Sequence, residues 1–119
     1  MNWYVTKIVY QIICGNGQHA AQFDEQLRLV QGQDEEEAFE KAVHIGESEA
    51  DVFFNQKQEL VQWKFVNVAE LYRLSEFVDG AEVHSRIREV DDADNYISFV
   101  NQKANAIQEK TTHQMLNLI

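Results

Sequence analysis

The chain has 119 residues, 45% of them apolar, with one cysteine, no proline and a formal net charge of -10. That length suits one domain, and the apolar content builds a core without help from a disulfide. The charge repels phosphate backbones and argues against a general nucleic-acid-binding role, and no run nears the roughly 18 apolar residues of a membrane helix. The acids are concentrated: residues 34 to 51 carry eight against Lys41, and residues 76 to 94 carry seven against Arg86 and Arg88. The start, MNWYVTKIVYQIICG, lacks the basic opening, apolar block and cleavage site of a signal peptide, so a cytoplasmic protein is expected. The lone Cys14 fits that compartment.

In chain order, the first feature is a hairpin. Read as a two-residue turn, Asn16-Gly17 sets Cys14 opposite His19, Tyr10 opposite Phe23, Ile8 opposite Glu25, Thr6 opposite Leu27 and Tyr4 opposite Leu29. That register collects a mostly apolar face, and leaves Lys7, Gln11, Gln22, Asp24, Gln26 and Arg28 on a wet face relieved by Val5, Val9 and Ile13. A helix then starts after Asp34, an N-cap with Glu37 three residues on. Phe39, Ala42, Val43, Gly46, Ala50 and Phe53 fall on one side of it, with Gly46 either ending the helix or touching the sheet.

LVQWKFVNVAELYRL alternates as a strand, with Val61, Trp63 and Phe65 on one side, and Val68 and Tyr72 stay on that side if one extra residue is absorbed near Val66 and Asn67. AEVHSRIREV is expected to return beside it after a loop, pairing Arg73 with Glu82, Tyr72 with Val83 and Val68 with Ile87. After DDAD, the spacing of Ile97, Val100, Ala104, Ile107, Thr111 and Leu118 predicts a second helix from 94 to about 109 or further. Its tail, MLNLI, is apolar and suits docking on this domain or on a second copy. The fold class is therefore α+β: an antiparallel sheet of two hairpins in ββαββα order with helices on one face. It forms one domain over 1–119, with a core at 3–90 and a helical extension at 91–119.

WYVTKIVYQI, DEEEAFEKAVHIG, and VQWKFVNVAELYRL followed by DGAEVHSRIRE together resemble a small bacterial family, domain of unknown function 4288, over residues 3 to about 90. The most specific parts are Trp3-Tyr4, Trp63, Phe65 and Val68, then Glu82-Val83 and Ser85-Arg86. Family members carry a glycine before the valine where this chain has Asn67. The resemblance implies a bacterial origin and a shared fold, and brings no activity or catalytic residues with it.

Candidate chemistry is sparse. Cys14 opposite His19 would place an imidazole beside a thiol, yet a hairpin tip supplies no pocket or oxyanion site, and a plain turn is the preferred reading. Glu25 and Glu70, both aimed at the apolar side, could form an acid-base couple or simply discourage edge pairing. His84 and Ser85 are strand neighbours facing opposite ways. Glu40, His44 and Glu47 share a helix face without a specific metal spacing, and DDADNYISFVNQ lacks the glycine and glutamate of a calcium loop. No cofactor and no metal are called for. Lys7, Arg28, Lys64, Arg73, Arg86 and Arg88 are expected on the polar side of the sheet, opposite an acidic helical side, as a candidate binding surface or as ordinary strand surface.

The leading expectation is a non-enzymatic cytoplasmic interaction or regulatory module. Its partner would be a protein, including a second copy through the C-terminal helix or an exposed strand edge, rather than nucleic acid or membrane. The alternatives are an acidic immunity-type inhibitor of a basic toxin, and a small enzyme using Cys14 and His19 or Glu25 and Glu70.

Overall fold

The computed structural model describes residues 1–117 and contains β1 (Asn2–Cys14), β2 (Gln22–Gly32), α1 (Glu35–Ser48), β3 (Asp51–Phe54), β4 (Leu60–Leu74) and α2 (Ala93–Asn117). This is the expected α+β class in ββαββα order, with all four strands in one antiparallel sheet of order β2-β1-β4-β3. The chain divides into two compact units, Met1–Ser85 and a second from Arg86 onward.

In the first unit, the even-numbered residues of β1 face α1. Tyr4, Ala38, Ala42 and Val30 form a buried cluster, with Ile45, Val68 and Leu71 packed against it. Two small residues one helical turn apart let α1 sit low on the sheet, and Gly46 completes the stripe: a Cβ there would lie 2.6 Å from Cδ1 and 3.0 Å from Cζ of Phe65. Of its two expected roles, Gly46 takes the close approach, and the helix runs on to a cap at Glu49. The opening cap is as expected, with the Asp34 side chain accepting from the Glu37 N–H at 2.9 Å.

The β1–β2 register differs from the expected one by a single residue. Tyr4 pairs with Val30, Thr6 with Arg28, Ile8 with Gln26 and Tyr10 with Asp24. The Asn16-Gly17 pair does not form a two-residue hairpin. Gly15, at φ 58°, takes the second position of a turn in which Gly17 N–H reaches the Cys14 carbonyl at 3.0 Å. Gly15 N–H goes to the Leu60 carbonyl at 2.7 Å, so the end of β1 follows β4 and the loop to β2 lengthens. Because side chains alternate along a strand, this slip turns the whole of β2 over. Asp24, Gln26 and Arg28 lie on the α1 face, while Phe23, Glu25, Leu27 and Leu29 lie on the outer face with Trp3, Val5, Lys7 and Val9.

The second hairpin also differs. DVFF forms β3 and pairs with the start of β4, Phe53 opposite Val61 and Asp51 opposite Trp63. Its turn is organised by Asn55, whose side chain accepts from the Lys57 and Glu59 N–H groups. AEVHSRIREV carries no strand. Its first part lies on the outer face instead, with His84 stacked on Tyr72, and Phe77, in the loop before it, lies against Trp3. Along β4 there are two extra residues, Val66 and Ala69, rather than one. The second restores the original alternation, so Tyr72 sits beside Val5 on the outer face and not on the apolar side.

In the second unit, Asp92 opens α2 by accepting from the Asn95 N–H at 3.1 Å. With no glycine or proline to stop it, the helix continues well past 109. Leu118 and the end of the apolar tail lie outside the described residues. No described helix is long and apolar enough to cross a membrane.

Candidate interaction surface

Cys14 and His19 are near one another, but the imidazole is committed to the backbone. His19 Nε2 accepts from the Cys14 N–H at 3.0 Å, and Nδ1 then donates to the Ala20 carbonyl at 2.8 Å. The ring is a clip for the loop. The free Cys14 thiol borders an open depression of about 400 Å³ lined by Asn55, Gln56, Lys57 and Glu59, on the side of the β3–β4 turn.

Glu25 and Glu70 do share a face, the outer one, with Lys7 between them. Lys7 Nζ stands 3.1 Å from Glu70 and 3.9 Å from Glu25, an ion triad spanning β2, β1 and β4. Lys7 is seated between the two carboxylates, so each faces a cation rather than the other acid, and the pair is not in direct contact as an acid-base couple.

The expected cationic face is not assembled. Lys7 and Lys64 are on the outer face, but Arg28 and Arg73 pair with Thr6 and Tyr4 on the α1 face, and Arg86 and Arg88 belong to no strand. Arg73 donates to the Asn2 side chain at 3.1 Å, and Arg88 lies over the Tyr96 ring.

The slipped register builds something the sequence reading did not anticipate. Beyond the end of α1, three polar side chains at alternate positions of β2 are linked in series. Trp63 Nε1 and Gln26 Nε2 both donate to Asp24 Oδ2, at 3.1 and 2.6 Å. Gln26 Oε1 accepts from two nitrogens of Arg28, and Arg28 forms an ion pair with Glu49 at the end of α1. Tyr10 lies beside this ladder, donating its hydroxyl to the Gly46 carbonyl at 2.9 Å. Burial pushes the Tyr10 pKa above its usual value; Arg28 opposes that, and Glu49 and Asp24 add to it. The readable signal was Asp24, Gln26 and Arg28 at i, i+2 and i+4, three polar groups able to bond one another along a single face.

On its other face, β2 exposes three large apolar side chains: Phe23 at 54%, Leu27 at 66% and Leu29 at 48%. The strand is also an edge of the sheet, and it is regular, with Asn2 to Ile12 paired to Gly32 to Gln22 without a break. The opposite side differs. There β3 covers only Leu60 to Trp63 of β4, and the remainder of β4 is interrupted by the bulged Val66 and Ala69. Bulges blunt an edge against further pairing, whereas a long straight edge with an apolar face invites it.

Comparison with curated proteins and with solved structures finds no match. A family model does match, over residues 3–85, which takes in α1, the segment laid on the outer face and all of the sheet but Asn2. The chain therefore belongs to the family described as a domain of unknown function, DUF4288.

Proposed function

We propose that this protein is a non-catalytic, cytoplasmic interaction module that engages another polypeptide through the β2 edge and the adjoining outer face. The observation that carries this reading is the combination, on one strand, of an unbroken eleven-residue edge with the exposed row Phe23, Leu27 and Leu29. Strand addition at such an edge supplies main-chain hydrogen bonds for affinity, and alternate side chains supply specificity. The commitment of both His19 nitrogens to the backbone, and the position of Lys7 between Glu25 and Glu70, support the non-catalytic part. The single free thiol supports a reducing compartment.

A photo-cross-linking residue tests the surface directly. Introduced in place of Leu27 in the full chain and activated in cells of the source organism, it gives discrete protein adducts. The same residue in place of Glu36, exposed at the start of α1, gives none. Adducts at neither position, or equal adducts at both, contradict the reading.

A further inference from the structure

Resting on that reading of the β2 edge, we infer that its occupant is a second copy of this chain, added antiparallel about a twofold axis through Gln26. The inference comes from the order of residues on the strand. A twofold axis perpendicular to the sheet keeps both α1 helices on one face and must pass beside a residue, which then faces its own copy. With Gln26 on the axis, Asp24 stands opposite Arg28 of the other copy on the α1 face, and this happens twice. On the outer face Phe23 stands opposite Leu29, also twice, and Leu27 meets Glu25.

Neighbouring choices of axis lose this matching. Centring on Glu25 sets Glu25 against itself and Asp24 against Gln26. Centring on Leu27 sets Asp24 against Val30 and Phe23 against Gln31. Directly opposed side chains have Cβ atoms about 4.5 to 5.5 Å apart, so the order of residues chooses the register. Gln26 at the centre joins acid to base and apolar to apolar at once.

The existing contacts leave room for the new ones. Among the described residues, both internal bonds to Asp24 fall on Oδ2. The Arg28–Glu49 pair is partly exposed, with Arg28 at 34%. Past the paired segment, Lys41 reaches the Gln31 carbonyl at 3.4 Å, so the run Gln22 to Val30 that pairs about Gln26 stops short of this contact. Joining the two copies gives one eight-stranded sheet. Its outer face gathers Phe23, Leu27 and Leu29 from both chains into a continuous apolar patch.

Sedimentation of the full chain tests the pairing. The natural protein is expected to show a monomer–dimer equilibrium. Asp24→Arg and Arg28→Asp each place like charges opposite one another and weaken association by roughly tenfold or more. An equimolar mixture of the two variants recovers it as a heterodimer, and the double variant recovers it alone. Independently of how those variants fold, Gln26→Cys in a Cys14→Ser background forms a disulfide between copies under mild oxidation, because residues facing each other across the axis fall within disulfide reach. Gln22→Cys, four residues from the axis, does not.

A natural chain that stays monomeric at every concentration overturns the second copy. If it does so while Leu27 cross-links to a different protein, the interaction reading survives and only this inference falls. A dimer whose two charge variants fail to complement, with no disulfide at Gln26, overturns the register.

Discussion

At Gly46 one missing methyl group lets α1 descend onto the ring of Phe65. Alanine there gains about 1 kcal/mol of helix propensity and meets overpacking of about 1–3 kcal/mol against an aromatic ring. Gly46→Ala is therefore expected to destabilise by about 1 kcal/mol in urea unfolding, and to become neutral or stabilising when combined with Phe65→Leu. Tyr10 reports on the same spot. Its hydroxyl donates to the Gly46 carbonyl, and its raised pKa means that the folded state holds the proton more tightly than the unfolded chain. Stability is then unaffected by this group below pH 10.0, the usual value for tyrosine, and is lost as pH climbs beyond it. Tyr10→Phe loses about 1–2 kcal/mol at neutral pH through the orphaned carbonyl and flattens the alkaline loss, which denaturant melts between pH 8 and 11.5 would reveal. His19, acting as a loop clip, should have no hand in the thiol chemistry. Iodoacetamide alkylation of Cys14 proceeds at an unchanged rate in His19→Asn, and a clear slowing would restore the thiol-imidazole idea.

Among the elements, α1 was the most legible. Its cap and acidic first turn are local features that no neighbour overrides, and Asp34→Ala should cost about 1 kcal/mol. Of its expected inner side, Ala42 and Gly46 are buried, but Ala38 takes the place expected for Phe39, which stays exposed. The strands were harder for identifiable reasons. On β2, both parities carry mixed chemistry: Phe23, Leu27 and Leu29 with Glu25 on one, Val30 with Asp24, Gln26 and Arg28 on the other. An apolar-inward rule picks the first set, and the structure picks the second. One residue, Val30, reaches the helix, and the polar trio is satisfied by Trp63 and Glu49, both distant in sequence. That choice depends on tertiary partners and on the detour of Gly15 toward Leu60, neither of which a turn dipeptide announces. DVFF was drawn into the helix pattern because Phe53 continues its spacing, whereas Asn55, a turn former that caps two backbone N–H groups, marked the hairpin. AEVHSRIREV alternates well enough for a strand, but β3 and the bulges of β4 leave it no straight edge on that side of the sheet, and His84, in its first part, stacks on Tyr72 of the outer face instead. The apolar row of the candidate surface was visible in the sequence as residues. Its outward direction was not.

For the molecule as a whole, charge sets the conditions of association. Two copies of net charge -10 with charge centres about 25 Å apart repel by about 17 kcal/mol at the dielectric of water, falling to about 7 at 0.01 M salt and about 1 at 0.1 M. The two Asp24–Arg28 pairs, partly exposed, return at most about 1 kcal/mol each. Repulsion wins at low salt, so dimerisation should tighten as salt rises from 0.01 to 0.15 M, and sedimentation at the two strengths checks the sign. Beneath all of this lies the orientation of one strand, because the exposed row, the polar ladder and the twofold pairing each require β2 to turn Leu27 outward and Val30 inward. The most direct measurement is urea unfolding of the full chain at submicromolar concentration, followed by Trp3 and Trp63 fluorescence, for Leu27→Lys and Val30→Lys. With Leu27 at 66% exposure and Val30 at 2%, the first should change stability by no more than about 0.5 kcal/mol and the second should cost about 3 kcal/mol or more. A large loss at Leu27 with little at Val30 would contradict the orientation.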